Sequence, residues 1–200
     1  VFGRSNQPPP AAPTAVKIVV SGGFGVGKTT FVGAISEIEP LVTEAEMTEV
    51  SLGVDDTSEV SGKTTTTVAL DFGRITLDET LLLYLFGTPG QDRFAFLWDD
   101  LVDGALGAVI LVDTRRIEDC FPAVDYFEEQ QIPFLLAVNN FEQTPRFDLA
   151  EVREALGVDG DVCLVNCDAR SRESVKQVLV ALTEEVLAQR LGPGRRVGAR

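Results

Sequence analysis

Histidine is absent from this chain of 200 residues, and cysteine occurs only three times, at Cys120, Cys163 and Cys167. An odd set of thiols without histidine supports neither a disulfide framework nor a Cys/His zinc site; it reads as small buried thiols in a reducing compartment. Long apolar runs are also missing. Stretches such as Ala105 to Val112 fall far short of the ~20 residues that a spanning helix needs. Basic charge is scarce: 17 Lys and Arg face 31 Asp and Glu, and a net charge of −14 argues against general nucleic-acid binding, because a polyanion would meet an acidic surface. No secretory signal is visible at the start and no prenylation cysteine at the end, so the expectation is a cytoplasmic protein with at most peripheral membrane contact.

What the chain does contain is a glycine-rich loop in a telling place. Gly22 to Thr30 read GGFGVGKTT, directly after the apolar run Val16 to Val20. Gly22, Gly27, Lys28 and Thr29 match the phosphate-binding P-loop pattern, with Gly25 and Thr30 completing the cradle. Glycines let successive backbone N–H groups turn inward around anionic oxygens, and the helix that follows adds the positive end of its dipole. Lys28 is expected to reach the β- and γ-phosphates, and Thr29 to offer its hydroxyl to Mg²⁺.

Length suits one domain. Residues 1–15, with Pro8, Pro9, Pro10 and Pro13, read as an extended tail, 16–191 as the folded domain, and 192–200 as a basic tail with Arg195, Arg196 and Arg200. Apolar runs at 16–20, 68–75, 81–86, 108–112, 134–138 and 162–165 predict six strands. Helical patterns over 28–36, 93–101, 117–130, 149–156 and 171–191 alternate with most of them. This predicts an α/β fold: a single doubly wound, mostly parallel six-stranded sheet with helices on both faces. The runs 68–75 and 81–86 form a hairpin and place one antiparallel strand at an edge. Residues 37–62 hold many acids without clear periodicity and read as a mobile segment, either an ordinary surface insertion or an extended switch.

In such a sheet the ligand lies beyond the carboxyl ends of the strands, so the residues just after each strand are the candidates. They are the P-loop, Gly87-Thr88-Pro89-Gly90-Gln91 after the third strand, Asn139-Asn140-Phe141-Glu142 after the fifth, and Cys167-Asp168-Ala169-Arg170 after the sixth. Asp113, after four apolar residues, reads either as the carboxylate of another P-loop class or, more often for such a residue, as the cap of the turn before the next helix. On these motifs, over residues 16–191, the chain resembles the Ras-like small GTPases, and most closely the bacterial MglA-like branch of roadblock-associated GTPases encoded in conservons.

The resemblance implies a switch that binds GTP with Mg²⁺ and slowly hydrolyses it to GDP and phosphate. Thr67, with Thr66 and Thr65 as alternates, takes the role of the switch I threonine that reports the γ-phosphate and completes the metal shell. Gly90 takes that of the switch II glycine touching the γ-phosphate, and Gln91 that of the residue orienting the attacking water. The family's metal-associated aspartate falls on Gly87, so the outer-shell carboxylate is absent at the matching position. The guanine-reading motif is altered: Asn139 is retained, Asn140 replaces the stacking lysine, and Glu142 replaces the aspartate that accepts from guanine N1 and N2. Ala169 matches the residue whose N–H binds guanine O6. Guanine is favoured over adenine, which cannot offer that donor pair.

No arginine finger is evident; Lys63, Arg93 or a partner's residue are the substitutes. The implied partners are a roadblock/LC7-type protein, docking on an exposed part of the Phe94, Phe96, Leu97 and Trp98 cluster, and a sensor kinase-like component. A non-hydrolysing nucleotide-bound scaffold and an ATP-using P-loop enzyme are the alternatives.

Overall fold

The computed structural model describes residues 12–39, 41–48, 65–90, 96–142 and 144–191, with the backbone alone for 41–48 and 65–69. A mixed sheet carries β1 (Thr14–Ser21), β2 (Leu41–Thr48), β3 (Thr65–Asp78), β4 (Leu81–Gly87), β5 (Gly107–Val112), β6 (Phe134–Asn139) and β7 (Cys163–Cys167) in the order β2-β3-β4-β1-β5-β6-β7. Strands β4, β1, β5, β6 and β7 are mutually parallel, whereas β3 runs antiparallel to β4. The six expected strands are therefore present, five parallel and one antiparallel. A seventh, β2, extends the edge by pairing antiparallel to β3 inside the segment read as mobile. Strand β1 begins at Thr14, two residues inside the segment expected to be tail.

Among the described residues five helices cover the sheet: α1 (Lys28–Ile35), α2 (Trp98–Val102), α3 (Phe121–Glu129), α4 (Leu149–Leu156) and α5 (Arg172–Leu191), with a 3-10 turn at Ile117–Cys120 leading into α3. Because side chains alternate across a strand, neighbouring residues supply opposite cores. Ile18, Val20, Val109, Leu111, Leu135 and Ala137 pack under α1 and α5, while Val19, Ala108, Ile110, Val112, Leu136 and Val138 pack under α2, α3 and α4. All six residues of β5 are buried, as expected for a central parallel strand covered on both faces.

Helix starts and stops follow local chemistry. Asp148 and Glu151 form a reciprocal capping box at the start of α4, and Gly157 ends it in the left-handed region at φ 65°. Arg172 donates to Ile35 O at 3.0 Å, so the start of α5 satisfies a carbonyl at the end of α1. Trp98 is buried among Tyr126 and Phe127, whereas Phe96 just before it is exposed. Among the described residues no helix is long and apolar enough to cross a membrane.

Candidate functional site

Strand β1 lies where the chain order reverses, with β4 on one side and β5 on the other, so a crevice opens beyond its carboxyl end. The loop 22–27 fills that crevice and turns into α1. Gly22 adopts φ +128°, and a Cβ there would sit 2.5 Å from Leu111 O. Gly22→Ala therefore combines a disallowed backbone with a collision against a fixed strand. It is expected to lower stability by about 2 kcal/mol or more, measured by denaturant unfolding, and to weaken phosphate binding in parallel.

Lys28 opens α1 and is only 8% exposed. Its Nζ donates to Gly22 O at 2.7 Å and Gly23 O at 2.8 Å, curling over the loop. Burial lowers its pKa to about 8, and the nearby Asp71 charge opposes that fall. An anion held by the loop amides would favour the charged form of Lys28. Gly90 lies against this group: a Cβ there would be 2.7 Å from Nζ and 2.9 Å from Phe24 Cα, so only glycine lets the chain pass so close to the lysine.

Thr29 Oγ1 donates to Asp71 Oδ2 at 2.9 Å. Position 87 itself carries no carboxylate, and Asp71 of the adjacent strand places one beside Thr29. Asp71 of β3 stands opposite Gly87 of β4 in the antiparallel register, and a Cβ on Gly87 would meet Asp71 Cβ at 2.8 Å. The carboxylate missing from the end of β4 is supplied by the neighbouring strand, through the space that glycine leaves open. A hydroxyl donating to a carboxylate keeps its lone pairs for a cation, so Thr29 and Asp71 together fit a hard divalent ion. Among the described residues no cluster of three or more acidic or thiol side chains forms a ready-made metal cage.

Asn139 ends β6 and ties two loops together. Its Nδ2 donates to Val26 O at 2.9 Å, and its Oδ1 accepts from Ala169 N at 3.0 Å. The Ala169 N–H, expected to serve a base oxygen, thus has a protein partner in this structure. Removing the amide orphans buried groups in both loops, so Asn139→Ala is expected to cost about 2 kcal/mol in a thermal or denaturant melt. Glu142 is largely exposed and pairs with Arg170.

Two recesses result. One of about 340 Å³ is bounded by Lys28, Thr29, Asp71, Thr88 and Gly90; another of about 160 Å³ is bounded by Asn139, Phe141, Glu142, Ala169 and Arg170. They meet at Gly25, Gly27 and Thr30. One end offers a lysine, loop amides and a hydroxyl with a carboxylate; the other offers an aromatic wall and a carboxylate. That is the division of labour a nucleoside polyphosphate requires.

One expected residue is not brought to the site, and others lie outside the described residues. Thr67 lies on β3 opposite Glu46, four residues before Asp71, which places its backbone roughly 13 Å farther along the strand. Gln91, Arg93, Phe94 and Lys63 lie outside the described residues, as do residues 1–11 and 192–200. The turn-cap reading of Asp113 holds: its buried carboxylate accepts from Arg115 N at 3.0 Å. The sequence reading missed Arg116, whose guanidinium donates to Phe24 O of the glycine-rich loop at 2.8 Å across 92 residues of chain.

A family model described as a conserved hypothetical ATP-binding protein matches residues 20–189. The chain is 28% identical over 126 residues to the uncharacterized protein MJ1339 of Methanocaldococcus jannaschii, covering 62% of this chain and 69% of that protein. It is 23% identical over 142 residues to the Ras-related protein SEC4 of Saccharomyces cerevisiae, covering 66% of each. The chain thus spans about two thirds of the length of both. Among solved structures, the FeoB G-domain of Methanococcus jannaschii superposes with a TM-score of 0.57 at 16% identity, over 88% of this chain and 99% of that one. The fold is that of a P-loop G-domain.

Proposed function

This chain belongs to the family of conserved hypothetical ATP-binding proteins, and from that premise we propose that it is a nucleotide-dependent switch that binds GTP and slowly hydrolyses it to GDP and phosphate. The observation that carries the reading is the paired recess, with Lys28 and Thr29–Asp71 at one end and Glu142 at the other. A carboxylate at the base end favours guanine, which presents two adjacent donors, over adenine, which does not. The ATP reading rests on the description of the family, and competition between the two triphosphates separates them.

Lys28 and the loop amides bind and orient the phosphates, and their positive field stabilises charge that develops on the γ-phosphoryl oxygens. Thr29, backed by Asp71, would hold Mg²⁺, which supplies further neutralisation of the phosphate charge when bound. Gln91 orients the attacking water. Thr67 serves as the switch I threonine once the start of β3 leaves its pairing with β2. The MglA-like, roadblock-associated branch remains our assignment for the chain. With it come a roadblock/LC7-type regulator, docking near the exposed Phe96, a sensor kinase-like component, and a cytoplasmic site of action. The folded domain is assigned to 14–191, the start of β1 moving its boundary two residues earlier than the sequence reading placed it.

Phosphate release under single-turnover conditions tests the enzymatic part. Wild type is expected to release phosphate over minutes to hours, and Gln91→Ala at least about tenfold more slowly. Release that is absent even with the regulator present would leave a nucleotide-bound scaffold. Equal rates for wild type and variant would remove Gln91 from its role.

A further inference from the structure

The loop after β6 is flanked by two arginines held in the same way. Asp113 follows β5 and Asp168 follows β7, and each is succeeded two residues later by an arginine, giving Asp113-Thr114-Arg115 and Asp168-Ala169-Arg170. In each unit the aspartate Oδ1 accepts the backbone N–H of its arginine at 3.0 Å. The same carboxylate then takes the guanidinium with both oxygens, at 2.8 and 2.7 Å from Arg115 and at 2.9 and 3.0 Å from Arg170. A two-point grip on a planar fork fixes the direction of a side chain that would otherwise rotate freely.

Each arginine presents its remaining surface to one of two consecutive residues. The Arg115 guanidinium lies 3.7 Å from the ring centroid of Phe141. Arg170 donates from its other terminal nitrogen to Glu142 Oε1. Phe141 and Glu142 both line the smaller recess. The glutamate side chain is 78% exposed, and its extra methylene relative to aspartate gives it more rotamers to lose on meeting a ligand.

We propose that the two Asp-x-Arg hooks are positioning elements for base selection: Arg115 sets the Phe141 ring as a flat wall for a purine, and Arg170 aims the Glu142 carboxylate at the purine edge. They take the place of the stacking lysine that Asn140 cannot provide. The inference rests on the reading of the smaller recess as a guanine site. Arg170 takes one lone pair of Oε1, which leaves the second lone pair of Oε1 and both of Oε2 for the two adjacent base donors. Solvent-exposed ion pairs add little to folding, so loss of the Arg170 hook moves selectivity more than stability.

The test uses the full chain and displacement of a fluorescent diphosphate by GDP, IDP and ADP. IDP retains the N1 proton of guanine and lacks the N2 amino group. Wild type is expected to prefer GDP to IDP by about tenfold. Arg170→Ala is expected to bring that ratio towards one with an unchanged melting midpoint, and Arg170→Lys fails to restore it because an ammonium lacks the fork. Because Arg115→Ala would strand the buried Asp113 charge, Phe141→Leu tests the other hook; it is expected to weaken GDP and IDP alike by about fivefold without altering their ratio. A wild-type GDP:IDP ratio in Arg170→Ala, or undiminished affinity in Phe141→Leu, overturns the hooks alone. Wild-type protein with no preference for GDP over ADP overturns the guanine reading and the hooks with it.

Discussion

Asp71→Ala is expected to reduce the Mg²⁺-dependent part of triphosphate affinity by about tenfold to a hundredfold, the usual cost of losing a carboxylate that orients a metal ligand. Asp71 receives the Thr29 hydroxyl at 2.9 Å and occupies the room that Gly87 leaves on the adjacent strand. Placing an aspartate at position 87 alone pushes a Cβ to 2.8 Å from Asp71 Cβ and sets two carboxylates side by side. Gly87→Asp is therefore expected to destabilise the fold by about 1–3 kcal/mol. The double exchange, Asp71→Gly with Gly87→Asp, removes the crowding and returns the carboxylate from the β4 side, and it is expected to regain most of the Mg²⁺ response. Titration of triphosphate binding with Mg²⁺, against an EDTA baseline, reads all four proteins. An Asp71→Ala protein with the wild-type response contradicts the assignment.

Lys28→Met is expected to act in opposite directions on binding and on folding. Nucleotide affinity falls by at least about a hundredfold, because charge-assisted bonds to phosphate oxygens are lost at a buried position. The nucleotide-free protein, by contrast, gains stability. The lowering of the Lys28 pKa from 10.5 to about 8 corresponds to about 3 kcal/mol against the charged form. Loss of the bonds to the Gly22 and Gly23 carbonyls offsets part of this. The net gain is expected to raise the melting midpoint of the nucleotide-free protein by a few degrees, about 2–4 °C for each kcal/mol. Calorimetric melts with and without nucleotide check both signs, and a Lys28→Met protein that is less stable than wild type without nucleotide contradicts the view of a lysine buried at a cost for the sake of its ligand.

Much of the fold was legible because its signals are local. The run from Val16 to Thr30 carries strand, loop and helix start in contiguous sequence, and α4 announces itself with Asp148, Glu151 and Gly157. Strand β2 was missed: Leu41–Thr48 reads LVTEAEMT, where Glu44 and Glu46 break the apolar run within an acid-rich stretch, and its strand character comes from pairing with β3. The same kind of distance hid Asp71. A search for the metal carboxylate along the sequence ends at Gly87, and only the register of two strands shows that residue 71 stands across from it. The two Asp-x-Arg units are plain as letters, yet 55 residues separate their arginines, and their shared target appears only once β5, β6 and β7 lie side by side. Arg116 reached the glycine-rich loop by the same cross-strand proximity.

The most direct measurement is equilibrium competition between GTP and ATP for the purified chain with Mg²⁺ present, together with identification by mass of any nucleotide that co-purifies. A single saturable site that takes GTP in preference to ATP, and loses it in Lys28→Met, is the predicted result. Failure to bind either triphosphate, or displacement of GTP by equimolar ATP, contradicts the account.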